Sequence, residues 1–174
     1  AHDTSNHSTW QVTDINSGTG GSFPGIYMEV LVGDTLYFSA TDDGSGNELW
    51  AHDTSNHSTW QVSDINSGTG DGYPGSSMGI LVGDTIYFSA TAGSSSRVLW
   101  AHDTSNHSTW KVTDSGSSSN PGTYMEVLVG DTIYFSATDG SSGQELWAHD
   151  TSNHSTWQVA DINSGSSSSS PGYY

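Results

Sequence analysis

The chain has 174 residues, 19 of them acidic and only two, Arg97 and Lys111, basic, for a formal net charge of −17. Two cations cannot neutralise a run of phosphates or grip an anionic bilayer surface, so nucleic acid and charged membranes are excluded as partners. The lack of Cys removes disulfide and thiolate chemistry, and no apolar run approaches the ~20 residues of a membrane-spanning helix, which excludes membrane insertion of that kind.

An acidic, apolar-poor chain ordinarily reads as disordered. Repetition argues otherwise. The chain opens on AHDTSNHSTW, residues 1–10, and this decapeptide returns unchanged at 51–60, 101–110 and 148–157. Residues 28–32 then alternate Met28, Val30 and Val32 on one face with Glu29 and Leu31 on the other, which predicts a strand. Gly33-Asp34 reads as a two-residue turn into a second strand, 35–41, with Leu36, Phe38 and Ala40 opposite Tyr37 and Ser39. A Gly/Asp loop at 43–46 leads to a third strand at 48–53, with Leu49 and Ala51 opposite Trp50 and His52. The turn 54–58 returns the chain as a fourth strand at 59–65, carrying Trp60 and Val62 on one face. Equivalent units follow from Met78 and Met125. Ser/Gly-rich loops at 16–25, 66–77, 115–123 and 163–172 separate them, each containing Pro-Gly. The substitutions Glu29→Gly79, Glu48→Val98 and Asp42→Ala92 between units read as drift in one repeat.

The expected fold class is therefore all-β: repeated four-stranded antiparallel meanders of the kind that form β-propeller blades. Residues 1–27 are a half repeat, holding the last two strands of a blade plus a loop; 28–77, 78–124 and 125–174 are repeats 1 to 3, the last with a C-terminal stub. The stretch ELWAHDTSNHSTWQVSDI, residues 48–65, resembles the ELWxxDGTxxGTxxVxDI repeat of bacterial surface and secreted proteins, and the flanking LYFSATD and DINSG…PG pieces fit it as well. The resemblance covers essentially the whole chain. It implies propeller-like blades in an extracellular or cell-surface protein and carries no defined activity. This chain departs from the family at the DGT turn, replaced by 53–59 (DTSNHST), where Asn56 is expected at a left-handed position.

Rings of blades close at about four to eight, so three and a half units leave unpaired strand edges. Two copies can close a ring, a head-to-tail contact can propagate as a filament, or the residues are a window of a longer repeat protein. The leading expectation is a non-enzymatic extracellular structural subunit that assembles with itself by completing half-blades. The alternative is a multivalent carbohydrate-binding propeller whose partners are glycans.

Four sets of residues carry candidate chemistry. The sequon Asn-His-Ser places Asn6, Asn56, Asn106 and Asn153 at hairpin tips, where N-glycosylation needs its acceptor. Asp14 and Asn16, Asp64 and Asn66, and Asp161 and Asn163 open D-x-N-x-G loops that resemble the start of a calcium loop, though without the distal Glu; calcium is the one cofactor expected. His2, Asp3 and His7, with His52/Asp53/His57, His102/Asp103/His107 and His149/Asp150/His154, offer two imidazoles and a carboxylate to zinc or copper. The competing reading has the Asp capping the turn and the histidines packed on Trp rings. Finally, Trp10, Trp60, Trp110 and Trp157 at one repeat position, and Trp50, Trp100 and Trp147 at another, are either sugar-stacking platforms or packing between blades. Catalysis finds no support: no nucleophile elbow or phosphate loop is present, and every His belongs to the repeated turn.

Overall fold

The computed structural model of the protein describes residues 1–93, 96–114 and 119–173; the opening of the predicted loop at 115–123 lies outside the described residues. A two-residue ribbon comes first, β1 (His2–Asp3) paired with β2 (Ser8–Thr9). Blade 1 follows as β3 (Glu29–Val32), β4 (Thr35–Asp42), β5 (Gly46–Asp53) and β6 (Thr59–Ser63). Blade 2 is β7 (Gly79–Val82), β8 (Thr85–Ala90), β9 (Val98–Asp103) and β10 (Ser108–Lys111). Blade 3 is β11 (Glu126–Val129), β12 (Thr132–Thr138), β13 (Gln144–Asp150) and β14 (Ser155–Ala160). Each blade is an antiparallel sheet in simple sequence order, and the described residues contain no helix.

The turns follow from the residues that make them. Val32 faces Thr35 across Gly33-Asp34, and Gly33 has φ 57, the positive value that the first central position of a mirror-image hairpin turn requires. The predicted fourth strand ends earlier than expected, at Ser63, because a bulge shifts the register between Leu49/Ser63 and Trp50/Gln61 and turns the chain out of the sheet.

The predicted alternation is present, but it does not divide inside from outside. Tyr37, Phe38, Ser39 and Ala40 are all buried, because each blade stacks its faces on its neighbours. Met28, Tyr37, Leu49 and Ala51 of blade 1 pack against Ile86, Phe88 and Ala90 of blade 2. One step on, Met78, Tyr87, Leu99 and Ala101 pack against Ile133, Phe135, Ala137 and Trp147 of blade 3. Buried Ser39, Ser89 and Ser136 are tolerated because each hydroxyl accepts a backbone N–H, from Tyr27, Ser77 and Tyr124 respectively, at 2.9–3.1 Å.

The Pro-Gly of each linker is an interlocking part. Gly122 (φ 74) lies under Met78 so closely that an added Cβ would sit 2.5 Å from the Met Cβ, and Gly172 bears the same relation to Met125 at 2.7 Å. The linkers are also clasped from within the sheet. Glu48 accepts the N–H groups of Ile65 (2.8 Å) and Asn66 (3.2 Å), and Glu145 accepts those of Ile162 (2.8 Å) and Ser169 (2.9 Å). Blade 2 has Val98 at this position and a different device: the N–H groups of Val112 and Thr113 both reach the Leu99 carbonyl. Its linker is three residues shorter (14 steps from Asp64 to Met78, 11 from Asp114 to Met125). Glu48→Val98 coincides with this shorter linker, and a buried carboxylate needs N–H partners such as those that the linkers after blades 1 and 3 give to Glu48 and Glu145.

Candidate functional site

The hairpin tip is the most repeated element. Asp53 Oδ1 accepts the Ser55 N–H (2.8 Å) and hydroxyl (2.6 Å), its Oδ2 accepts Asn56 Nδ2 (2.7 Å), and Asn56 Oδ1 accepts the Ser58 N–H (2.9 Å). Asp103 and Asp150 repeat the pattern, and these hydrogen bonds hold all three carboxyls below the usual carboxylate range. Thr54 fastens the tip to the neighbouring turn by giving its N–H and hydroxyl to the Asp34 carbonyl (2.8 and 2.9 Å), as Thr104 does to Asp84 and Thr151 to Asp131. The left-handed residue is not Asn56. It is His57 (φ 63), with His7, His107 and His154 alike, because the Asn side chain closes its own turn on Ser58 while the next residue reverses the chain.

This arrangement spends the proposed metal ligands elsewhere. Asp53 faces its turn, His52 Nδ1 is 2.8 Å from the Thr59 hydroxyl, and the His52 and His57 rings lie 6.4 Å apart. His2, Asp3 and His7 are placed alike, the rings 6.3 Å apart and Asp3 bonded to Ser5. Among the described residues no group of three His, Cys, Asp or Glu is gathered for a metal. Among the described residues the histidine ring contacts are with His and Tyr rather than Trp. His102 and His149 sit against Tyr37 and Tyr87 of the preceding blade, ring centroids 5.3 Å apart in both cases. Burial pushes both imidazoles down to about 4, and their Nε2 atoms are enclosed without a hydrogen-bond partner.

The D-x-N-x-G loops are closed by their amides. Asn66 Nδ2 donates to the Asp71 carbonyl (3.0 Å) and its Oδ1 accepts the Gly93 N–H of the next blade (2.7 Å). Asn163 donates to Ser168 O (3.2 Å), and Asn16 to Asp43 Oδ1 (3.2 Å) and Gly21 O (3.4 Å). Asp64 and Asp161 reach the N–H groups of Gly68 and Gly165 at 3.4 and 3.3 Å. Each of these Asn side chains thus donates to a main-chain carbonyl of its own loop.

Five of the seven tryptophans lie within the stack. Trp60 and Trp100 pack in the first inter-blade core, Trp110 and Trp147 in the second, and Trp50 beside Phe38 and Ala40. Trp10 and Trp157 are 46% and 41% exposed. They occupy the repeat position of Trp60 and Trp110, which pack in the inter-blade cores; Trp10 faces blade 1 across a cleft, and Trp157 lies on the face of blade 3 that no further blade covers. The sequon residues Asn6, Asn56, Asn106 and Asn153 are all exposed at the tips.

A cleft of about 430 Å³ opens between the β1–β2 ribbon and blade 1, lined by Trp10, Val12 and Ile15 on one side and Pro24, Phe38 and His52 on the other. Sequence reasoning did not locate it. The available signal was the first Pro-Gly, since residues 1–23 hold no Met-x-Val strand of the kind that seats Met78 and Met125 at later linkers.

No family model and no curated protein matches the chain. Among solved structures it is similar to puromycin hydrolase, with TM-score 0.55 and 13% identity over 80% of this chain and 21% of that one. It is similar also to a puromycin-hydrolyzing peptidase of Mycobacterium tuberculosis, with TM-score 0.52 and 13% identity over 80% of this chain and 21% of that one. The chain therefore spans about a fifth of the length of these structures. At this identity the likeness establishes the fold, a run of propeller-like four-stranded blades, and nothing of the hydrolases' chemistry.

Proposed function

We propose that the protein is a non-enzymatic, secreted structural subunit that assembles with other copies by completing half-blades. One observation carries the reading: the β1–β2 ribbon holds two strands where the other blades hold four, and it leaves an apolar cleft and an open strand edge beside blade 1. A second apolar surface supports it. The outward face of blade 3 leaves Val127, Val129, Trp157 and Val159 41–60% exposed, whereas the matching faces of blades 1 and 2 are covered by the next blade. A head-to-tail contact covers both surfaces, and such a contact propagates unless its rotation closes a ring. The charge of −17 keeps the remaining exterior soluble.

Electron microscopy and size-exclusion analysis of the purified protein test the reading. Polymers or discrete rings are expected; a monodisperse monomer at high concentration refutes self-assembly. Glycosylation belongs to the same proposal, since the four sequons stand on exposed tips, and an unmodified mass for the Asn56 peptide removes it. The carbohydrate-binding alternative has less support. The exposed Trp10 and Trp157 occupy packing positions, and a glycan array without hits disposes of it.

A further inference from the structure

We infer that Tyr27 and Tyr73 are a site of oxidative cross-linking, with Tyr124 and Tyr173 as a second. A one-electron oxidant of the peroxidase class, fed by hydrogen peroxide, joins the two phenol rings by a carbon–carbon bond and ties blade 1 to the linker entering blade 2. The bond forms within one chain, so it stands or falls independently of self-assembly.

Two kinds of tyrosine contact occur among the described residues. Tyr37 and Tyr87 are buried against His102 and His149 and are shielded from solvent. Tyr27 and Tyr73 are 40% and 37% exposed, with ring centroids 5.5 Å apart and an interplanar angle of 87°. Tyr124 and Tyr173, also exposed, repeat the contact at 5.2 Å and 73°. The pairing does not follow from one repeat position. Tyr27 and Tyr124 both precede the Met that opens a blade, but Tyr73 stands before the Pro of its linker and Tyr173 follows the Pro-Gly of its own. Tyrosine thus reaches the same ring distance from two different positions. Blade 2 has Ser77 before its Met, and the linker after it has Asn120 and Thr123 at those two positions. Both halves of the pair are absent there together, and the Ser77 hydroxyl accepts Arg97 Nη1 instead (2.7 Å).

Tyr73 also has a proton acceptor in place. Its hydroxyl donates to Asp71 Oδ2 at 2.6 Å, and Asp71 Oδ1 is fixed by the Asn47 N–H at 2.7 Å. That hydrogen bond holds the Tyr73 phenol above its ordinary pKa, so the neutral phenol meets the oxidant. Losing an electron makes the phenol strongly acidic, and its proton passes to Asp71; the proton of oxidised Tyr27 passes to water. Exposed side chains change rotamer within nanoseconds, which brings together the ring carbons next to each hydroxyl. One carbon–carbon bond forms, each of those carbons releases its hydrogen as a proton, and both rings become phenols again. In sum two C–H bonds break, and two electrons and two protons reduce one hydrogen peroxide to two waters. Coupling within the chain outruns coupling between chains because the rings are already neighbours. The chain has no Cys, and this bond supplies the covalent loop closure that a disulfide supplies elsewhere.

The test treats the full chain, dilute, with peroxidase and hydrogen peroxide, and then cleaves it before Asp. Peptides 14–33 and 71–83 carry Tyr27 and Tyr73 as their only tyrosines. They are expected to emerge joined, two hydrogen atoms lighter than their sum and with biphenol fluorescence, and 114–130 is expected joined to 161–174. Tyr73→Phe keeps the ring and should abolish the first product while leaving the second. Asp71→Asn keeps an acceptor for the Asn47 N–H but cannot take up the phenol proton. It should slow the first coupling about tenfold against the second in the same sample, the factor expected for losing one hydrogen bond to a carboxylate. The cross-linked chain should also show a higher urea midpoint than Tyr73→Phe treated alike. Tyr27 and Tyr73 left unjoined, joined only between chains, or joined no more often than other tyrosines overturns the inference. An unchanged rate in Asp71→Asn overturns the part given to Asp71.

Discussion

Leu99 and Leu146 are the same residue at the same position of the repeat, each on the third strand of its blade, and they differ only in what lies beyond. Leu99 is fully buried between blades 2 and 3; Leu146 is half-buried, on the face of blade 3 that no further blade covers. Truncating a closed-in Leu to Ala costs its transfer free energy plus that of the cavity left behind, about 3–5 kcal/mol. At Leu146 water already reaches the site and can enter the space, so only part of the transfer free energy is lost, about 1–2 kcal/mol. The two variants should therefore differ by roughly 2 kcal/mol, read as a difference in urea midpoint at unchanged slope. Dilute, monomeric protein is needed, because assembly would cover Leu146. Equal midpoint shifts in Leu99→Ala and Leu146→Ala under those conditions would refute blade-on-blade stacking as the main source of stability.

Acid should loosen the stack through His102 and His149. Their values fall from 6.5 to about 4 on folding, so their contribution is complete above pH 6.5 and is lost as pH falls toward 4, at roughly 3 kcal/mol per buried imidazole. Glu48 acts in the opposite sense: burial lifts it from 4.5 to about 7, so its contribution is complete below pH 4.5 and declines as pH rises through 7. Two histidines against one Glu predict a melting temperature that falls between pH 7 and pH 4, and a flatter profile in His102→Gln/His149→Gln. Replacing Glu48 with Ala strands the Ile65 and Asn66 N–H groups and should cost about 2–3 kcal/mol in chemical denaturation. Val98→Glu, which puts a carboxylate at a buried apolar position 3% exposed, should destabilise, measured in the same way. Gly122→Ala should cost about 1–3 kcal/mol more than Gly130→Ala in thermal melts; both carry positive φ, but only Gly122 has a methionine in the way.

The strands and their two-residue turns were legible because period-two alternation and Gly-Asp are local signals. Which face is inside was not, since both sides of Tyr37-Phe38-Ser39-Ala40 are buried by different neighbours, and a single strand carries no record of a second partner. The turn chemistry was half legible. Asp53 as a cap follows from its type, but whether Asn56 or His57 turns left-handed depends on which side chain closes its ring with Ser58. The Trp positions were named with both of their readings, and burial of Trp50 and Trp147 (9% and 7% exposed) favours packing there. The cleft escaped because it is defined by residues 1–15 meeting Pro24 and His52, a relation between units and not within one.

The Met-on-Gly and Tyr-on-His contacts have a bearing on how such a chain can change over generations. Each blade carries the giving half of these contacts on one face and the receiving half on the other, and the two halves are fitted to each other in every neighbouring pair. Recombination that inserts or deletes one whole unit therefore leaves each remaining junction already matched, with no new packing to be selected. Gain or loss within a unit has no such protection, as the shortened linker of blade 2 and its Val98 illustrate. The length of the stack is free to vary in steps of a blade, while the surface of each junction is held nearly constant.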